Sequence, residues 1–148
     1  MNDSLKKIAK IIKKSNKIGL FTHINPDFDA LGSSLSLFYA LKLLKKDVHI
    51  FIKENLSASQ KLLIDENNIE KNCEVNDFDL LISTDTPSIE RLGDFGDMFK
   101  NFPNTIVLDH HVNDNLKGKY NYIDQSMSSC SEISLAIINA LKIKLTKI

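Results

Sequence analysis

Residues of the types that hold metal ions occur in three clusters along the chain. His23, Asp27 and Asp29 form the first cluster, Asp85 is the second, and Asp109-His110-His111 form the third. Carboxylates and imidazoles without a thiolate favour Mn²⁺, Mg²⁺, Fe or Co over a structural zinc ion. One shared aspartate can bridge two such ions about 3.5–4 Å apart, a spacing that stabilises both oxygens in phosphoryl transfer.

Each cluster follows a short apolar run that predicts a β-strand. These runs cover residues 17–22, 78–83 and 105–108. Ligands of open α/β sheets bind outside the carboxyl ends of the strands, so residues that are distant in sequence meet there. We therefore expect the three clusters to converge on one site, although 88 positions separate His23 from His111.

The rest of the chain alternates between helix and strand patterns. An amphipathic helix is predicted to begin near Leu5 with Asp3 or Ser4 as its cap, and a last helix follows a capping box formed by Ser129 and Glu132. The other predicted elements are a buried helix at 30–44, a helix at 57–64, a helical turn at 87–91, and strands at 48–52 and 120–123. This alternation indicates one α/β domain over residues 1–148, with a mostly parallel sheet flanked by helices.

Composition excludes several classes of protein. The chain has 19 basic and 19 acidic residues, so no overall positive field collects nucleic acid. Cys73 and Cys130 are too isolated for a disulfide framework or a CxxC zinc site, which favours a reducing cytoplasm. No apolar run reaches the length of a signal peptide or a membrane span, so we expect a soluble protein with no membrane partner.

Each cluster also has a purely structural explanation. Asp27 and Asp29 could cap the helix that follows them, and Asp85 could be an ordinary turn residue before Pro87. Asp109-His110-His111 are harder to explain in this way, because three adjacent ionisable residues are costly to bury without a partner. Their joint position after three strands favours the metal site.

The motifs, taken in order, resemble those of the DHH-family phosphoesterases. They are residues 22–33 (THINPDFDALGS), Asp85, residues 91–93 (RLG), residues 109–111 (DHH) and residues 128–132 (SSCSE). The pattern is most similar to the nanoRNase/pAp-phosphatase branch, which trims very short RNA and dephosphorylates 3′-phosphoadenosine 5′-phosphate (pAp).

The resemblance implies a two-metal site for Mn²⁺, with Mg²⁺ or Co²⁺ as substitutes. It also implies the residues that hold the two ions, which are His23, Asp27 and Asp85 for the first and Asp29, Asp85 and His110 for the second.

Two further residues are implied to be catalytic. Asp109 would orient the adjacent imidazoles, and His111 would contact the scissile phosphate or assist the leaving group. Arg91, Ser33 and Ser129 are candidate substrate contacts, since Arg91 follows Asp85 closely and Ser33 lies near a helix start whose N–H groups could face phosphate. Helix capping also explains Ser129, and a surface position also explains Arg91.

Family members continue into a later motif whose aspartate completes the second metal site, and then into a substrate-binding domain. This chain ends at Ile148, before both, so we expect a truncated catalytic domain that is nearly inactive alone. The leading prediction is a hydrolase of short oligoribonucleotides or pAp. A truncated, non-catalytic nucleotide- or metal-binding domain and a pyrophosphatase-like enzyme remain alternatives, and the oligomeric state is open, with a homodimer among the options.

Overall fold

A parallel sheet forms the centre of the protein. The computed structural model describes residues 2–74, 77–112 and 115–144. The strands of the sheet are β1 (Lys17–Phe21), β2 (Asp47–Phe51), β3 (Ile69–Glu70), β4 (Leu80–Thr84), β5 (Thr105–Asp109) and β6 (Tyr120–Ile123). They lie in the order β3-β2-β1-β4-β5-β6, and every neighbouring pair is parallel. The predicted α/β fold with a mostly parallel sheet is confirmed.

The strand order reverses direction between β1 and β4. From β1 the chain moves outward through β2 to β3, and from β4 it moves outward on the other side through β5 to β6. Connections on opposite faces leave a crevice at such a switch point, outside the carboxyl ends of the two strands. His23 follows β1 and Asp85 follows β4, so the topology itself places both at this crevice.

Helices and turns cover both faces of the sheet. Alternate strand residues such as Leu20 and Ile50 face a core shared with α1 (Leu5–Lys14), α2 (Phe28–Leu43) and α4 (Cys130–Ala140). The intervening Phe21 and Phe51 pack on the opposite face, against the 3₁₀ turn Glu90–Phe95 and α3 (Gly96–Asn101). Strands buried on both faces have continuous apolar sequences, which is why the runs were visible in the sequence.

The predicted starts of α1 and α4 are confirmed. The Ser4 hydroxyl accepts a hydrogen bond from the Lys7 backbone N–H at 3.2 Å, which caps α1. The Ser129 hydroxyl accepts from the Glu132 backbone N–H at 3.2 Å, and the Glu132 carboxylate accepts from the Ser128 backbone N–H at 2.9 Å. This reciprocal pair satisfies N–H groups at the start of α4, in the manner of a capping box.

Three local predictions are wrong. The helix predicted at 57–64 is only a 3₁₀ turn at Gln60–Leu62, because Leu62 is 86% exposed and the segment has too little apolar contact to stabilise a longer helix. The helical turn predicted at 87–91 lies later, at Glu90–Phe95, and the strand predicted from residue 78 begins at Leu80. In the described part of the chain, no helix has both the length and the apolar character to cross a membrane.

Candidate metal centre

Three of the predicted ligands form a first group at the switch point. The His23 side chain is 6% exposed, and its Nε2 lies 3.9 Å from an oxygen of Asp27 and 3.9 Å from Oδ2 of Asp85. The three potential ligand atoms all lie within 4.8 Å of one another. Two ligand atoms that each lie about 2.0–2.2 Å from the same ion are about 3–4 Å from each other, so this group fits one transition-metal ion.

The second group meets the first at Asp85. His110 Nε2 lies 3.5 Å from Oδ1 of Asp85 and 3.6 Å from Oδ2 of Asp29. Asp85 therefore turns Oδ2 toward His23 and Oδ1 toward His110. A carboxylate that presents one oxygen to each of two groups has the placement needed to bridge a pair of ions.

The Asp85 carboxylate is buried, and its oxygens lie 3.5–3.9 Å from nitrogens of three imidazole rings. The residue is 1% exposed, and among the described residues its Oδ1 is a buried oxygen without a hydrogen bond. Burial raises the pKa of Asp85 to about 7, and repulsion from Asp29, Asp109 and Asp27 contributes in the same direction against the opposing effect of His111. A buried carboxylate surrounded by other carboxylates is stabilised by a bound cation, so the site fits a metal ion.

The backbone of Asp85 adopts a left-handed conformation, which is uncommon for residues other than glycine. Its φ of 56° is left-handed, and its N–H donates to the Leu108 carbonyl at 3.0 Å. Left-handed geometry costs free energy in a residue with a Cβ, although aspartate tolerates it better than most. The turn directs the carboxylate back over the strand ends, where both groups meet.

Asp29 is held by the start of α4. Its Oδ2 accepts from the Cys130 N–H at 2.8 Å, and its Oδ1 accepts from the N–H and the hydroxyl of Ser131 at 3.0 and 2.6 Å. Burial opposes ionisation, but the hydrogen bonds from Ser131 and Cys130 outweigh it, and the pKa of Asp29 lies below its ordinary value. Asp29 is thus ionised and held in a fixed orientation, and its role as a metal ligand stays a prediction. Sequence reasoning missed this role of Ser131, because its partner lies 102 positions earlier.

The two imidazoles after β5 are oriented by different groups. Asp109 Oδ1 accepts from the backbone N–H groups of His110 and His111 at 2.7 and 3.2 Å, and lies 2.6 Å from His111 Nδ1. The ring of His110 is instead positioned by the Met127 carbonyl, 3.3 Å from its Nδ1. Asp109 therefore orients one imidazole ring, that of His111, and not both as expected.

His111 is close to the predicted metal ligands, but its Nδ1 is not suited to bind an ion. Its Nδ1 is 3.7 Å from Asp85 Oδ1, and His111 could form a metal-holding group with Asp85 and His110. However, Nδ1 must keep its proton to donate to Asp109, and a protonated nitrogen cannot coordinate a metal. The side chain is 39% exposed, which leaves the ring accessible to a substrate.

Arg91 lies beside the first group of ligands, next to His23. Its Nη2 lies 3.0 Å from His23 Nδ1, while the Ile24 carbonyl lies 2.8 Å from the same nitrogen. Coordination through Nε2 requires a proton on Nδ1, which then donates to Ile24. In that state Arg91 cannot donate to His23, so its N–H groups can turn to an anion at the metal centre. A substrate contact by Arg91 stays a prediction.

The structure does not place Ser33 at the site. Ser33 is fully buried, its hydroxyl donates to the Ala30 carbonyl at 3.1 Å, and its own carbonyl accepts from Ser134 of α4 at 3.0 Å. This burial contradicts the predicted substrate contact, because Ser33 serves the packing of α2 against α4. The first N–H groups of α2 are also taken, since Asp27 Oδ1 accepts from Asp29 and Ala30. Ser129 caps α4, and its substrate role stays a prediction.

The chain is similar to known proteins over most of its length. The sequence pattern of the DHH family, N-terminal domain, matches residues 17–147. The chain is 31% identical over 148 residues to the probable bifunctional oligoribonuclease and PAP phosphatase NrnA of Streptococcus mutans, with 95% of this chain and 44% of that protein covered. The chain spans 39% to 44% of the length of the curated relatives it matches.

Solved structures show the same fold. An exopolyphosphatase-related protein from Bacteroides fragilis superposes with a TM-score of 0.83 at 22% identity, covering 93% of this chain and 43% of that one. The exonuclease RecJ bound to manganese superposes with a TM-score of 0.62 at 18% identity, covering 95% of this chain and 38% of RecJ.

Proposed function

The chain belongs to the DHH family, and we propose that it is a manganese-dependent phosphoesterase acting on short oligoribonucleotides and on pAp. The observation that supports this most is the placement of Asp85, which presents one oxygen to the His23 group and the other to the His110 group. When bound, two ions at these groups would polarise the phosphate and activate water for attack on it. The residues proposed to hold the two ions are His23, Asp27, Asp29, Asp85 and His110.

The protein's own residues would orient the substrate. The His111 side chain is 39% exposed beside the centre, and its Nδ1 lies 2.6 Å from Asp109 Oδ1, which holds the ring. This placement suits a contact with the scissile phosphate or the leaving oxygen. Arg91 lies on the other side, beside His23, where a guanidinium can bind a phosphate oxygen.

The balance of charge favours small substrates. With 19 basic and 19 acidic residues, the chain has no excess of positive charge to bind a long nucleic acid. Within this chain, binding would come from the ions and a few local contacts, which suits an oligonucleotide of a few residues or a nucleotide. The NrnA relatives, named as oligoribonucleases and PAP phosphatases, support the same substrate class.

A domain that binds no metal ion accounts less well for Asp85, whereas a metal-binding domain without catalysis is distinguished only by the assay below. Without a bound ion, the fold would gain stability by replacing a buried carboxylate whose Oδ1 has no hydrogen bond among the described residues with a neutral residue. The left-handed backbone at the same residue adds a second cost. Both costs are explained if a cation occupies the site.

The test is hydrolysis of pAp, of a three-residue RNA and of pyrophosphate in the presence of Mn²⁺, at protein concentrations high enough to measure the weak turnover expected of this catalytic domain alone. Asp85→Asn should reduce turnover of pAp and RNA by about a hundredfold or more, since loss of a mere supporting residue at a metal site already costs about 10–100-fold. Asp124→Asn is the matched control, because the Asp124 side chain hydrogen-bonds to Ser126 and Tyr122 among the described residues, and the substitution keeps the backbone bond from Asp124 to Asp109. Release of phosphate from pyrophosphate, with pAp and RNA untouched, would refute the proposed substrates.

A further inference from the structure

A cavity of about 250 Å³ opens at the carboxyl ends of β1 and β2. Three segments form its walls, residues 22–24 after β1, residues 51–54 at the end of β2, and residues 92–95 of the 3₁₀ turn. None of the metal-site residues other than His23 belongs to this lining. The cavity is therefore a separate space next to the metal centre, and the proposed function does not yet use it.

His23 is the wall that the cavity shares with the metal centre. Its ring lines the cavity, while its Nε2 lies 3.9 Å from carboxylate oxygens of Asp27 and Asp85. A molecule with a phosphate at the metal centre can thus place an adjoining group in the cavity. Arg91 stands at this junction, 3.0 Å from His23 Nδ1.

The interior of the cavity is apolar and rigid. Phe51, Leu92 and Phe95 line the cavity and are at most 9% exposed. Because these side chains are packed in the core, they form a fixed apolar surface at the bottom of the cavity, called the floor below. Phe21 packs beneath, stacked on Phe51 at 5.0 Å between ring centroids and edge-on to Phe95 at 5.3 Å. A pre-formed apolar floor favours a flat ring, because such a ring loses little conformational freedom when it is buried.

The rim of the cavity is polar. Lys53 and Asp94 form an ion pair across it, and Glu54 lies on the same side. Carboxylates at a rim accept hydrogen bonds from amino groups, and the ammonium group donates to ring nitrogens or carbonyls. An apolar floor below a rim with donors and acceptors matches the chemistry of a nucleobase.

The size of the cavity limits the ligand to one ring system. Pockets for drug-sized ligands measure about 300–1,000 Å³, and this cavity is smaller at about 250 Å³. Gly93 defines one wall, with a left-handed φ of 57° and an ideal Cβ position only 2.7 Å from the Ile24 side chain. The absence of a side chain at this residue lets the turn lie directly against the end of β1.

We propose that this cavity binds the nucleobase of the nucleotide whose phosphate lies at the metal centre, with a preference for a base that has an exocyclic amino group. This inference rests on the proposed function and deepens it, because it separates nucleotides from pyrophosphate and other phosphates without a base. Asp94 and Glu54 accept from the amino group, and the floor contacts the ring.

Binding of three simple probes tests the inference. Adenosine 5′-monophosphate (AMP), ribose 5-phosphate and adenosine are titrated into the full chain with Mg²⁺, followed by calorimetry and by NMR. AMP should bind about tenfold more tightly than ribose 5-phosphate, the order of magnitude that one base contact with aromatic residues contributes. Nuclear Overhauser effects should connect the adenine protons with the methyl groups of Ile24 and Leu92.

A matched pair of lysine variants tests the rim. Lys53→Met removes the ion pair with Asp94, and Lys61→Met removes a comparable ion pair with Glu66 outside the cavity, the two lysines being 43% and 44% exposed. Lys53→Met should bring AMP binding to within about threefold of ribose 5-phosphate, because the ammonium group no longer donates to the base. Lys61→Met should keep the tenfold difference.

The outcomes separate this inference from the proposed function. Equal binding of AMP and ribose 5-phosphate, or Overhauser effects to residues outside the cavity, would overturn the base site and leave the metal centre intact. Binding of adenosine in the cavity without metal-dependent binding of either phosphate would support the base site and contradict the proposed function. If none of the three probes binds, both are overturned.

Discussion

Replacement of Ser131 by alanine should weaken the second metal ion selectively. The Ser131 hydroxyl donates to Asp29 Oδ1 at 2.6 Å, and it is the only side chain among the described residues that donates to this carboxylate in addition to two backbone N–H groups. Asp29 in turn faces His110 at 3.6 Å, in the second group. The first group, His23 with Asp27 and Asp85, has no bond to Ser131 among those observed.

The magnitude follows from two opposing effects. A hydrogen bond to a charged group contributes about 1.5–3 kcal/mol, and its loss frees Asp29 to rotate away from the ion. Loss of a donor also makes the carboxylate more basic, which favours metal binding, but Asp29 is already ionised at neutral pH because its pKa is lowered. Orientation therefore dominates. With the two N–H bonds retained, we expect a net loss of about 1–2 kcal/mol, or about 5–30-fold in affinity.

Calorimetric titration with Mn²⁺ measures both ions in one experiment. In Ser131→Ala the first, tighter ion should keep its affinity within about twofold, while the second weakens by about tenfold. Ser126→Ala is the matched control, because the Ser126 hydroxyl also donates to an aspartate, Asp124, at 2.6 Å but in an exposed loop. Equal weakening of both ions would indicate a general loss of structure, and an unchanged second ion would refute the positioning role.

Three further predictions concern single residues of the centre. In metal-free protein, Asp85→Asn should stabilise the fold above neutral pH. The folded pKa of about 7 exceeds the ordinary 3.8, so the wild type loses stability as pH rises between these values. Urea denaturation with a chelator should show the variant ahead by about 1–3 kcal/mol at pH 8 but not at pH 4, the range for a buried polar group without a hydrogen bond. His23→Ala should abolish the tighter Mn²⁺ site and His110→Ala only the weaker one, whereas loss of the same ion in both variants would contradict the two groups. His111→Ala should lower kcat about a hundredfold with both ions still bound, because general acid–base contacts contribute about 10²–10⁴-fold; unchanged turnover would exclude a catalytic contact.

The convergence of the ligands could be predicted because it depends on topology. Apolar runs identify parallel strands, and the carboxyl ends of parallel strands share one edge of the sheet. His23, Asp85 and His110 each follow such a run, so their meeting required no knowledge of loop conformation. The same reasoning could not predict that Asp85 is left-handed, because that depends on its contact with Leu108 in the neighbouring strand.

Contacts between distant segments were beyond sequence reasoning. The Met127 carbonyl positions His110, and Ser131 positions Asp29, through the way in which α4 docks beside α2. The wrong prediction for Ser33 has the same cause. A serine near a helix start gives no sign in the sequence that a neighbouring helix will bury it. The failed helix at 57–64 shows that helical spacing is insufficient where Leu62 finds no core to contact.

Electron paramagnetic resonance of the chain titrated with Mn²⁺ tests the bridged centre most directly. Asp85 presents its two oxygens to opposite groups, at 3.9 Å from His23 and 3.5 Å from His110. We expect the first equivalent of Mn²⁺ to give an isolated six-line signal and further Mn²⁺ to give the spectrum of an exchange-coupled pair, which Asp85→Asn should abolish. Binding of a single ion at saturating Mn²⁺, or of two ions that remain uncoupled in the wild type, would contradict a two-metal centre bridged by Asp85.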